Sequence, residues 1–230
     1  MSSMSIADTH RRYAAHFTHL VENTSDWNLQ SPVADWRARD VVEHLTSWLP
    51  GMMRSLGVEL ADVTDRNPVR AWADLTAQVQ VLLDDPERAG QLVQDFSGGQ
   101  STVEDLLAKY YLPDVFMHTW DLARATGQDA TLDPDTTQNL VEAMTGAADM
   151  LRASGQYGDP VVLDDSHPMQ DRLIALIGRD PHWTAPVVDT PDGQMPAGAI
   201  DETTEEVVLP VDELMSDPQD PDARRSGGRA

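Results

Sequence analysis

YLPDVFMHTWDLARATG, residues 111–127, poses the problem on which the fold turns. It reads as the second half of a helix closed by Gly127. Leu107, Tyr111, Asp114, His118 and Leu122 recur at steps of three and four, so they share one helix face. A carboxylate and an imidazole therefore stand where a core should be. An unpaired buried carboxylate costs several kcal/mol. The compensation must be a hydrogen-bonded Asp–His pair, a bound cation or a water-filled pocket. Pro113, directly before the acid, removes a backbone bond and predicts a kink that aims Asp114 inward.

Outward from this stretch the chain continues as helices. Ser101 to Glu104 form a capping-box pattern that starts this same helix, the fourth. Before it lie helices expected over about 6–24, 37–56 and 69–84, with stripes such as Phe17, Leu20 and Val21, then Val41, Leu45 and Leu49, then Trp72, Leu75 and Val79. NTSDWNLQSPVADW (23–36) has the turn residues of a connection. A fifth helix is expected over about 134–154 and a short one over 168–178. No region holds enough strand pattern for a parallel sheet. The expected fold is all-α: an up-down four-helix bundle with an additional helix and a short C-terminal extension. The expected organisation is a bundle over 1–155, an extension packed on it over 156–184, and a flexible, acidic, proline-rich tail over 185–230.

Charge and composition exclude several classes. With 39 acidic against 16 basic residues the formal net charge is −23, which opposes a phosphate backbone or an anionic membrane as partner. There is no cysteine, so disulfides, thiolate metal sites and a cysteine nucleophile are excluded. The N-terminal MSSMSIADTHRRYAAHF lacks a signal-peptide apolar run, and the chain reads as cytoplasmic. No P-loop, dinucleotide fingerprint or hydrolase elbow is present.

The second helix repeats the puzzle of the fourth. His44 falls on its apolar side, three after Val41 and four before Trp48. Taken singly, His44 reads as a satisfied core residue and Asp114–His118 as an ion pair. Taken together, two imidazoles and a carboxylate on rigid helices make a facial triad with open positions. Asp121 can orient an imidazole or pair with Arg124, and the spacing favours the pair. Trp120 reads as packing. His16 and His19 share an exposed face, and His10, His167 and His182 lie near loops without a role.

These same residues carry a resemblance. DWNLQSPVADWRARDVVEHL and DVFMHTWDLARATG resemble the two signatures of the mycothiol-dependent maleylpyruvate isomerase N-terminal family, within the DinB-like metal-binding bundles. QYGDPVVLDDSHPMQDRLIALIGRDPHW resembles the ending of an actinobacterial subgroup that lacks the isomerase's C-terminal domain. The resemblance spans about residues 8–183. It implies a divalent metal, zinc in the first place with nickel or iron as options, held by His44, Asp114 and His118. It further implies mycothiol as a thiol cofactor and a small electrophile as substrate, in a transferase or isomerase reaction. A homodimer stays open.

Three departures stand out. Asp114 is shorter than the usual Glu, so a metal would sit closer to its helix or be bound through water. The catalytic arginine of the missing domain is absent, with Arg179 as a conceivable substitute. Arg37 replaces a capping Ser or Thr, leaving capping to Asp35. The alternative reading is a non-enzymatic metal- or small-ligand-binding protein of the same fold. A non-haem iron oxygenase and a metal-free bundle with a buried Asp–His pair are further options.

Overall fold

A computed structural model describes residues 4–146, 158, 160–164 and 166–186. Four long helices enclose the main core: α1 (Ile6–Glu22), α2 (Ala38–Ser55), α3 (Pro68–Asp84) and, after a short α4 (Pro86–Ala89), the composite fourth helix. That last helix is built in three pieces. An α-helical turn, α5 (Val103–Leu106), passes into a π-helical segment, Leu107–Tyr111, and then into α6 (Leu112–Thr126). Two further helices, α7 (Pro134–Gly146) and α8 (Met169–Leu176), stand outside the four. The expected continuation of α7 through 147–154 and the expected tail from 187 onward lie outside the described residues.

The caps follow local chemistry. Ser5 accepts from the Asp8 N–H at the start of α1, and Thr102 accepts from the Asp105 N–H at the start of α5. At α2 the cap differs from expectation. Asp35 does not cap it; Asp35 sits in the left-handed region at φ 63, in the turn before the helix. Instead the Asp40 carboxylate reaches back to accept the Arg37 N–H at 2.7 Å. Gly127, at φ 70, closes α6 as the sequence suggested.

Each of α1 and α2 packs against both α3 and α6. Their directions are not a simple up-down alternation. His10 meets Tyr111, Tyr13 meets Phe116, and Leu20 O accepts from Gln128 Nε2, so α1 and α6 run parallel. His10 bonds Gln80 while Thr18 accepts from Trp72 Nε1, so α1 and α3 run antiparallel. Trp36 meets His118 and Trp48 meets Tyr111, so α2 and α6 are antiparallel. Consequently α2 and α3 point the same way, and the chain between them must travel back along the bundle. Residues 56–67, at about 3.3 Å each, span roughly 40 Å, more than the roughly 27 Å length of α2. The return path is tied down where Arg88 donates to Glu59 O and Ala61 N–H donates to Gln78 Oε1. This corrects the expected up-down alternation: the fold is all-α as expected, but α2 and α3 are parallel.

The core is apolar, with Phe17, Leu45, Leu49, Leu75 and Leu106 among its enclosed side chains. A second cluster joins Phe116, Met117 and Trp120 of α6 to Val141, Leu173 and Ile174. Because α6 lies between the two clusters, every residue from Val115 to Ala123 is buried. Trp120 is thus a packing residue, as expected. Before α5 the chain forms a small antiparallel hairpin, β1 (Leu92–Gln94) with β2 (Gln100–Thr102), registered Val93 to Ser101. Among the described residues no helix is long and apolar enough to cross a membrane.

Candidate metal centre

Irregular backbone sets up the site. Pro113 has no N–H to continue the helical ladder, and the expected irregularity lies just before it. It takes the form of the π-helical segment, in which the Leu112 N–H donates to Leu107 O, five residues back. Pro113 then occupies the first turn of α6, where its missing donor costs nothing. From this restart Asp114 faces α2, and His118 follows one turn later on the same face.

The three residues come together. His44 Nε2 lies 3.1 Å from Asp114 Oδ2, and His118 Nε2 lies 3.4 Å from Asp114 Oδ1. One donor atom from each residue falls within 4.8 Å of the others. Two ligands of a tetrahedral zinc, each at about 2.0–2.1 Å, stand about 3.3 Å apart. Two of the observed spacings lie near that value, and the donor set of two imidazoles and a carboxylate fits a divalent ion.

A second set of groups fixes these three side chains. Asp121 Oδ2 lies 2.9 Å from His118 Nδ1, and Asp121 is fully enclosed. A carboxylate there accepts a hydrogen bond from Nδ1–H and, in the neutral imidazole, leaves the Nε2 lone pair toward the site. The expected pair between Asp121 and Arg124 does not form. Arg124 lies over the Trp120 ring and donates to Trp183 O, while Asp121 turns inward to His118. Trp48 Nε1 donates to Asp114 Oδ2 at 3.1 Å. Trp36 stacks on His118, with centroids 5.7 Å apart and planes at 22°, and lies 5.0 Å from the His44 ring.

The electrostatics follow from this enclosure. Burial alone would raise the Asp114 carboxyl, but the His118 and His44 charges and the bonds from His44 and Trp48 outweigh it and hold it below the ordinary carboxylate value. Burial alone would depress His118; the Asp114 and Asp121 carboxylates overcome it and raise the imidazole above its usual value. Tyr111, buried and close to the Asp114 carboxylate, has its phenol pushed far upward, and its hydroxyl lacks a partner. Side-chain exposure rises from 6% at His118 through 20% at Asp114 to 32% at His44. The site is thus anchored deep in α6 and opens to solvent along α2.

Some of the arrangement escaped the sequence reading. Asp121 carried one signal: an acid on a helix apolar all round needs a buried partner. Trp36 and the Trp48 donor carried none. His10, read as a loop residue, is buried in α1 with Nδ1 2.7 Å from Gln80 Oε1. It is remote from the triad in role, and His16 and His19 are exposed as expected.

The chain matches no protein-family profile and no solved structure. It is similar to the uncharacterized proteins MT0763 and Rv0738 of Mycobacterium tuberculosis, from strains CDC 1551 / Oshkosh and H37Rv. Each is 24% identical over 196 residues, covering 74% of this chain and 95% of the relative.

Proposed function

We propose that this protein is a DinB-like bundle related to the N-terminal family of mycothiol-dependent maleylpyruvate isomerase. In this reading His44, Asp114 and His118 hold one divalent metal, zinc, and the protein is a cytoplasmic thiol-dependent transferase or isomerase for a small electrophile. The observation that carries it is the convergence of two imidazoles and a carboxylate from two helices, with Asp121 fixing the deepest ligand. When bound, such a metal supplies a Lewis acid that lowers the pKa of a thiol.

The chain's own residues have separable tasks. His118, locked by Asp121, offers Nε2 in a fixed direction. Trp48 holds Asp114 through its indole N–H, which aims the carboxylate. His44, the most exposed of the three, forms the edge beside which a thiol and an electrophile enter. The Trp36 indole lies beside both imidazoles and the Trp48 indole beside His44, an aromatic cover that strengthens the electrostatics there. Nickel and iron(II) suit the same donor set.

The test uses full-length protein loaded with cobalt(II) as a spectroscopic stand-in. Mycothiol added to it should bind and give a thiolate-to-cobalt absorption band, absent in His44→Ala. A metal-loaded protein that takes up neither mycothiol nor another low-molecular-weight thiol would overturn the thiol-dependent reading. The protein would then be a metal- or small-ligand-binding bundle without this chemistry.

A further inference from the structure

The α8 helix ends in a turn whose bonds are fully specified. Gly178 N–H donates to Ala175 O at 3.1 Å and Arg179 N–H donates to Ile174 O at 3.0 Å. This is the paired bonding of a Schellman motif, with the glycine left-handed at φ 80. A Cβ on Gly178 would stand 2.5 Å from the Gly158 carbonyl carbon, so only glycine fits. The turn folds residue 179 back over the helix end, where Arg179 NH1 donates to Ile177 O at 2.7 Å. The other arm of the guanidinium, NH2, lies 3.4 Å from Asp121 Oδ2.

Asp121 is the group that fixes His118. Arg179 is its partner from 58 residues away, with a side chain only 12% exposed. Two buried polar atoms of this same pair lack partners, the Asp121 Oδ1 acceptor and the Arg179 Nε donor. An acceptor and a donor left over on one carboxylate–guanidinium pair are the missing half of a two-pronged fork. A bond between these two atoms would complete the fork and fix the plane of Asp121, and through it the ring of His118.

We infer that Arg179 is a positioning residue of the metal centre, acting through Asp121 on His118, so that the C-terminal extension is part of the site. This rests on the metal-binding reading above. It assigns Arg179 a role distinct from contact with substrate, because its guanidinium is turned to Asp121 and the Ile177 carbonyl. Outer partners of metal-bound histidines typically contribute about 10–100-fold to metal affinity.

The experiment measures cobalt(II) affinity, by competition with a chromogenic chelator, together with the cobalt absorption spectrum, on full-length chains. Arg179→Met should weaken binding about 10-fold or more and shift the spectrum, and Arg179→Lys should recover part of both. In an Asp121→Asn background Arg179→Met should add little. Unchanged affinity and spectrum in Arg179→Met, beside a wild type that binds cobalt, would overturn the inference. So would full additivity of the two substitutions. If Arg179→Met does not fold, Arg179→Lys decides by the same two readouts, and wild-type values in it count against the fork. A wild type that binds no cobalt would overturn the metal reading itself, which is a different result.

Discussion

Two imidazoles are almost fully enclosed in this bundle, His10 at the α1–α3 seam and His118 at the α2–α6 seam, at 1% and 5% exposure. His10 shares its helix face with apolar side chains, whereas His118 shares its own with Asp114. Their company differs. His10 Nδ1 faces the Gln80 amide oxygen, and the Gln80 amide nitrogen donates to Asp84 Oδ1 at 2.9 Å, which fixes the amide so that His10 is the donor. No carboxylate touches the ring, and burial lowers its pKa. His118 has a carboxylate on each nitrogen and is raised. The same residue type is thus a packing group beside an amide at one seam and a proposed metal ligand with its orienting partner at the other. The difference comes from the facing helix.

The largest expected effect separates the two seams outright. His118→Ala or His44→Ala should lower zinc affinity by more than the ~10–100-fold typical of losing an outer partner. His10→Gln should leave zinc affinity at the wild-type value. Equilibrium titration of chelator-stripped protein reads both. Equal losses at both positions would break the comparison.

The reverse contrast belongs to stability. Gln80→Met leaves the buried His10 donor unpaired and should cost about 1–3 kcal/mol in urea melts, with zinc affinity unaffected. Loss of zinc binding in Gln80→Met would show that the seams are coupled. A comparable effect is expected at Trp48. Trp48→Phe removes one hydrogen bond to the Asp114 carboxylate, a type worth about 1.5–3 kcal/mol, and should lower the stability of the metal-free protein by about that much in urea melts and also weaken zinc binding roughly 10-fold, unlike Gln80→Met.

The smallest effect is a difference in pH slope. In metal-free protein His10 has a depressed folded pKa. The unfolded chain binds the proton more readily, so this contribution is present above the unfolded value of about 6.5 and is lost as pH falls below it. His118 has a raised folded pKa. Its contribution is full below about 6.5 and is lost as pH rises through the folded value. Urea melts across about pH 5–8 should therefore show opposite changes. His10→Gln should make stability rise less steeply with pH, and His118→Asn should make it rise more steeply. Slopes changing in the same direction would contradict the assigned environments.

What the sequence could show follows from what spacing encodes. The helical period fixes faces, so the stripes of α1, α2 and α3 and the inward side of Asp114 and His118 were legible, as was His44 between Val41 and Trp48. Spacing does not encode direction. The parallel run of α2 and α3 was missed because the 56–67 segment has no pattern to mark it as a return path along the bundle. Partners distant in sequence were equally hidden. Arg179 reaches Asp121 only because a glycine turn folds the chain back, and Gln80 reaches His10 only because α1 and α3 pack antiparallel. The hairpin strands, three residues each, are too short to show an alternation. Pro113 did announce an irregular helix, but its π-helical form depends on how Leu107 to Tyr111 pack. The Arg37–Asp40 cap lacked the Ser or Thr that marks such a site.

The central claim is that His44, Asp114 and His118 jointly hold one metal ion. Zinc-edge X-ray absorption on full-length protein loaded with one equivalent of zinc tests it most directly. The expected first shell contains two imidazoles with a carboxylate oxygen among the remaining ligands, and loses one imidazole in His44→Ala. A first shell of oxygen atoms alone, or one unchanged in His44→Ala, would contradict it.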